Sequence, residues 1–169
     1  SLMKGYYLEP EKTAETIQDG WLHTGDRGAI DSDGYLTITG RVKDVFKTSK
    51  GKFVQPNNIE GLLMRNTYIE QICVAGSGHS QPIVLVELTE SAKAKLPEGA
   101  KEIEDNIMST VVEVNKELEH HEIIDRIFVV DDVWTPENGM LTPTMKIKRS
   151  EVEKKYNPLC DKYRESKVR

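Results

Sequence analysis

Residues 24–53 read TGDRGAIDSDGYLTITGRVKDVFKTSKGKF. Asp33-Gly34 divides GAI from YLTIT, a run that alternates inward and outward positions. An Asp-Gly pair between two such runs predicts a β-hairpin. VFKT, a turn around Ser49 to Gly51, and KFV predict a second hairpin. From Arg41 to Lys52 there are five basic residues and one acid, Asp44, although the chain carries 23 Lys plus Arg against 28 Asp plus Glu. A second basic cluster lies in residues 146–169. Two separate basic clusters on an acidic body point to two local anion contacts and not to a broad nucleic-acid surface. Phe46 and Phe53 are both expected to face the core, so the hairpin offers no stacking platform for bases. Read for its charge alone, it is a solvated edge guarded by lysines.

The 169 residues suffice for one ordinary domain, or for a small domain with a piece of another. Apolar residues make up 37% and charged ones 30%, a globular balance. No apolar run approaches the roughly 20 residues that span a bilayer, and no secretory signal opens the chain. Ser1 and Leu2 read as a cloning remnant ahead of Met3. Cys73, in the run ICVAG, reads as a small core residue, and with Cys160 it makes no disulfide framework; a reducing cytoplasm is expected.

Outward from the hairpins, the first forty residues read as short strands and turns. Asn57 and Glu60 fit a capping box for a helix from about 57 to 66. IEQICVAG and PIVLVELT read as strands covered on both faces, joined by SGHSQ. Ile103, Ile107, Val111, Val114 and Leu118 recur at helical spacing and predict a helix over 101–119. RIFVVDDV reads as a third strand, and LTPTMKIKR as an extended loop. Ser150 and Glu153 fit a second capping box, opening a helix that Asn157 and Pro158 should end. Strands and helices interleave irregularly, so the expected class is α+β: a three-stranded sheet, a two-stranded hairpin and packed helices.

Several groups invite a chemical reading. Arg41 follows Asp26 by fifteen residues, at the ends of two adjacent strands. An ionised carboxylate only accepts hydrogen bonds and suits a pair of ribose hydroxyls; a guanidinium offers a fork of donors. Together they suit the sugar of a nucleotide. Lys146 sits in the apolar run TPTMKI, where a snorkelling lysine on a sheet edge is the plain alternative. Asp31 and Asp33 imitate the start of a calcium loop, but Val42 stands where its glutamate belongs. Adjacent His120 and His121 point apart and make a poor metal pair; His79 reads as a loop histidine, and GSG at 76–78 lacks the Lys-Ser/Thr of a phosphate loop. No metal site is expected.

The stretch DGWLHTGDRGAIDSDGYLTITGRVKDVFKTSKGKFVQPNNIE closely resembles the adenylate-forming superfamily of acyl-CoA synthetases, beetle luciferases and peptide synthetase adenylation domains. MKGYYLEPEKTAETI resembles that family's approach to its TGD motif, and LTPTMKIKRSEV is similar to the version in long-chain fatty acyl-CoA synthetases. The resemblance runs the length of the chain. It implies that Asp26 holds both ribose hydroxyls of ATP and of the acyl-adenylate, and that Arg41 contacts the same ribose. It places a hinge at Lys43, the end of a large N-terminal domain at 1–42 and a small mobile C-terminal domain at 43–169. It makes Lys146 the lysine that reaches the substrate carboxylate and α-phosphate, with Lys148 as the second candidate. Most of the superfamily has Gly before this lysine, where Met145 stands here. After adenylation the small domain turns, and Lys47, Ser49 and Gly51 then border the adenylate and the coenzyme A channel.

The resemblance thus implies an AMP-forming ligase of long-chain fatty acids that uses ATP with Mg2+ and coenzyme A. The phosphate-binding loop and the acyl and adenine pockets are expected ahead of Ser1, in the enzyme's own N-terminal domain. These residues alone are expected to be inactive. Peripheral membrane contact is expected only of the whole enzyme. Another acid, a carrier-protein acceptor, or a non-enzymatic docking module remain as alternatives.

Overall fold

A computed structural model describes residues 2–167, with side chains through residue 162. The last two residues of the expected 43–169 domain lie outside the described residues. The chain folds as two compact units, Ser1–Lys43 and Asp44–Arg169.

The first unit opens with helix α1 (Pro10–Thr16), a correction to the expectation of strands and turns only. Pro10 sits in its first turn, where a missing N–H costs no intrahelical bond. Strands β1 (Ile17–Gln18) and β2 (Trp21–Leu22) form a tight antiparallel pair. The expected hairpin follows as β3 (Asp26–Ile30) and β4 (Leu36–Arg41). Its turn is held from one side chain: Asp31 Oδ1 accepts from the N–H groups of Asp33 (3.0 Å) and Tyr35 (2.9 Å). That carboxylate serves the turn.

A short 3-10 turn, Val42–Asp44, spans the join of the units. The second unit begins with the hairpin β5 (Phe46–Lys47) and β6 (Phe53–Val54), then α2 (Pro56–Leu63), β7 (Ile69–Ala75), β8 (Ile83–Leu88), α3 (Glu90–Glu117), β9 (Arg126–Val130) and α4 (Arg149–Lys167). The sheet runs β7-β8-β9, with β7 antiparallel and β9 parallel to β8. The parallel pair requires a long crossover, which α3 supplies.

All six residues of β8 are buried, because both faces of the sheet are covered. Ile72, Val74, Val84, Val86 and Leu88 pack with Ile59 and Leu63 of α2 and with Ile103, Ile107, Val111 and Val114 of α3. Cys73, Ile83 and Leu85 pack on the other face with Trp134, Leu141 and α4 residues Val152, Tyr156 and Cys160. The two-residue period of the strands sorts these sets, and the three-layer α+β architecture follows. Cys73 is fully buried, and burial pushes its thiol up to about 12, so it stays protonated and inert at neutral pH.

Four further expectations need correction. Helix α3 begins at Glu90, eleven residues before the predicted start at 101. Thr89 caps it by accepting from Ala92 N, and Pro97 with non-helical Gly99 (φ −126°, ψ 21°) kinks it without ending it. Helix α2 has no side-chain cap, so Asn57 and Glu60 form no capping box. Helix α4 starts at Arg149 and runs through Pro158, so Ser150 lies inside its first turn and Pro158 does not stop it. An interior proline costs about 3 kcal/mol, but Val152, Tyr156 and Cys160 anchor the helix to the core on both sides of Pro158. Finally, Phe53 is 66% exposed, not core-facing. The ladder pairs Phe46 with Val54 and Lys47 with Phe53; the first pair is buried, so the second lies on the outer face. Among the described residues, no helix is long and apolar enough to cross a membrane.

Candidate functional site

In the first unit, Asp26 and Arg41 are direct cross-strand partners at the open end of the β3–β4 hairpin. A bulge between Arg27 and Gly28 brings this pair into register. Arg41 Nε lies 3.3 Å from Asp26 Oδ1, and both side chains reach solvent. Asp26 N donates to Thr24 Oγ1 (3.1 Å) and Val42 N to Gly25 O (2.9 Å), which fixes the backbone on either side of the pair. One carboxylate and one guanidinium, aligned and still wet, can take up a vicinal diol between them.

In the second unit, Lys146 and Lys148 flank a braced turn. Met145 N donates to Thr142 O (2.8 Å), closing a four-residue turn with Pro143 at its second position. Thr142 N donates to Lys146 O (2.7 Å), and Lys146 N to Thr142 Oγ1 (3.0 Å). Leu141 and Ile147 bridge antiparallel at the base. Met145 and Lys146 therefore oppose the single residue Thr142 as a bulge, with Met145 in the left-handed region at φ 61°. The expected extended loop is a tight hairpin. Both lysines are exposed, and among the described residues neither forms an ion pair.

The base of this turn is tied down by a group that the sequence reading missed. Arg149 Nη1 lies 2.8 Å from Glu60 Oε1, and Arg149 Nη2 donates to Glu60 Oε2 at 3.0 Å, a two-pronged pair with each side chain under a fifth exposed. Nη1 also donates to Val74 O (2.6 Å), while Glu60 Oε1 accepts from Val74 N (2.8 Å). One guanidinium thus joins the start of α4 to α2 and β7. Burial acts against its charge, but the hydrogen bonds to Glu60 and the attraction of that carboxylate outweigh it, and its pKa moves up. Burial raises Glu153 beside it. Glu60 had looked like a capping residue because its true partner lies 89 positions away.

The β5–β6 hairpin carries Lys47, Ser49 and Gly51 on an exposed tip. Gly51 has φ 78°, which only a residue without Cβ adopts freely, and its N donates to Thr48 O (2.9 Å). Thr48 N donates to Lys52 O (2.8 Å). Gly78 N donates to Lys47 O (3.1 Å) and Ser49 N to His79 O (2.8 Å), so the GSG loop grips the hairpin. His121 Nε2 is 3.1 Å from Phe53 O and steadies the other strand. The Lys47 ammonium stands 5.6 Å from the centre of the exposed Phe53 ring. Lys43 is exposed within the 3-10 turn at the join of the units. The structure therefore brings Asp26 to Arg41, and Lys47 to Ser49 and Gly51, with Lys146 on its own turn.

Residues 43–167 match the model of the AMP-binding enzyme C-terminal domain. The chain belongs to that family. Among curated relatives of this AMP-binding C-terminal domain, the mouse protein named long-chain-fatty-acid–CoA ligase 5 is 34% identical over 91% of this chain and 25% of its own length. Fatty acyl-CoA synthetase B of Dictyostelium discoideum is 32% identical, again over 91% of this chain and 25% of its own. The chain thus spans about a quarter of the length of these relatives. Among solved structures, the adenylation domain of a carboxylate reductase from Mycobacterium chelonae superposes with a TM-score of 0.82 at 28% identity, covering 95% of this chain and 26% of that one. A Segniliparus rugosus carboxylic acid reductase domain, solved with AMP and a co-purified carboxylic acid, gives 0.79 at 28% identity, over 98% and 27%.

Proposed function

We propose that these residues form the C-terminal part of an AMP-forming long-chain fatty acid–CoA ligase, with residues 43–169 as its mobile lid and residues 1–42 as the end of its large domain. The observation that carries this reading is Lys146: an unpaired, exposed ammonium on a turn braced from both sides. In adenylation, the fatty acid carboxylate attacks the α-phosphorus of ATP and pyrophosphate leaves. Two anions are brought together, and a preplaced cation stabilises the charge that builds up between them. Mg2+ would accompany the nucleotide as part of the substrate. The Asp26–Arg41 pair holds the ribose of ATP, then of the acyl-adenylate. In the second half-reaction, the thiol of coenzyme A attacks the acyl carbonyl and AMP leaves. The β5–β6 hairpin with Lys47, Ser49 and Gly51 faces the adenylate and the coenzyme A phosphates in that step, after rotation at Lys43.

Support for the ligase reading comes from the names of the relatives, the family match and the geometry of the two cationic tips. Pyrophosphate exchange and thioester formation in the full enzyme, across a panel of acids and with coenzyme A or a carrier protein as acceptor, test it directly. Exchange with no acid at all would sink it.

Two substitutions probe the parts. Asp26→Ala removes the ribose acceptor, and KM for ATP in pyrophosphate exchange should rise about tenfold or more, the value of a charge-assisted hydrogen bond. An unchanged KM for ATP would show that the carboxylate meets something else. Lys43→Pro fixes φ near −65°, close to the 3-10 geometry seen here. Thioester formation should then fall severalfold more than pyrophosphate exchange, because a restricted φ impedes rotation at the hinge. Equal losses in both half-reactions would count against a hinge at Lys43.

A further inference from the structure

The turn that carries Lys146 holds a residue its backbone disfavours. Met145 lies at φ 61°, where a side chain meets its own backbone and glycine does not. Within the second unit it is the one described non-glycine residue with positive φ. Core packing does not explain it, because Met145 is 57% exposed. Its neighbours hold it in place: Met145 N donates to Thr142 O, Thr142 N to Lys146 O, and Leu141 beneath the turn is buried. Strain kept in an over-determined turn clusters at active sites and ligand clamps. Bulges of this kind also serve to re-aim a side chain.

Resting on the reading of Lys146 as the group that neutralises the acid's carboxylate, we infer that Met145 is a specificity-determining contact on the same turn. Its thioether packs on the first methylenes of the acyl chain, next to that carboxylate. Met145 and Lys146 share one bulge, with adjacent Cα atoms about 3.8 Å apart, and C2 and C3 of a fatty acid are the next atoms beyond the group held by the ammonium. An unbranched thioether moulds itself to a methylene chain and has no donor for a hydroxyl placed there. A 2-hydroxy acid of equal length is therefore disfavoured at this contact, while the rest of the chain binds as before.

The test compares hexadecanoate with 2-hydroxyhexadecanoate in pyrophosphate exchange by the full enzyme. Met145→Gly relieves the backbone and deletes the contact. It should raise Tm and lower the kcat/KM ratio of the two acids about tenfold, the scale of a single apolar contact in discrimination. Met145→Gln, equal in length but polar, should lower the ratio similarly. Met145→Leu should keep it within about twofold. A ratio unchanged in both the Gly and Gln variants overturns the inference, as does a Leu variant that loses as much as the Gly variant. Lys146→Ala separates the two ideas: full exchange activity in that variant fails the underlying reading, whereas an unchanged acid ratio beside a strict need for Lys146 fails the Met145 contact alone.

Discussion

Lys146→Ala in the full enzyme should slow acyl-adenylate formation about 10²- to 10³-fold, the usual effect of deleting one preplaced donor from a site of developing negative charge. Thioester formation from supplied acyl-adenylate should fall little if, as proposed, the β5–β6 hairpin and not the Lys146 turn serves that step. The Lys146 backbone is held by Thr142 through both its N–H and its carbonyl, so the alanine variant keeps the turn. Lys148→Ala is the matched control. It removes an exposed ammonium two residues on, outside the bulge, and should leave adenylation within about twofold. A large loss in the Lys148 variant beside a mild one at Lys146 would move the role by two residues. Equal loss of both half-reactions on changing Lys146 would remove the lid mechanism.

Arg149→Ala should destabilise the second unit by about 3 kcal/mol, the lower end of the range for breaking a buried pair, since some solvent reaches this one. The loss has a specific origin: Glu60 keeps its charge in a partly buried place, and Val74 O loses its donor. Denaturant unfolding reads it as a lowered midpoint at constant slope. Arg149→Lys should recover only part, because an ammonium cannot fork across both Glu60 oxygens while reaching Val74 O. Changing Arg149 and Glu60 together to leucine should cost less than the sum of the single changes. Additive losses would show that the two side chains act independently. The pair sits under the start of α4, three residues after Lys146, so the stability of the second unit and the placement of that lysine are linked through one guanidinium.

Much of this was legible in one dimension. Near-continuous apolar runs in IEQICVAG and PIVLVELT marked two strands covered on both faces, and the sheet has them so. Asp33-Gly34 and the turn at Ser49–Gly51 marked two hairpins, and both form. The signals that failed were ones a distant partner overrode. Asn57 and Glu60 satisfied a capping pattern, yet the Glu60 oxygens went to Arg149 and Val74. Pro158 read as a stop, yet Tyr156 and Cys160 found a core that keeps the helix in place around it. Phe53 read as core, yet a two-residue strand has only one inner side chain, and Val54 took that place.

By itself the sequence determined the strand periodicity and the hairpin turns, because these depend on neighbours a few positions away, while its resemblance to a known family singled out Asp26, Arg41 and Lys146 as candidates. The tertiary structure alone decided that Arg149 would clasp Glu60 across 89 positions and that Met145 would bear a left-handed backbone beside Lys146. Local rules see only a few residues at a time. Partners brought together by packing decide which of several allowed local choices survives burial.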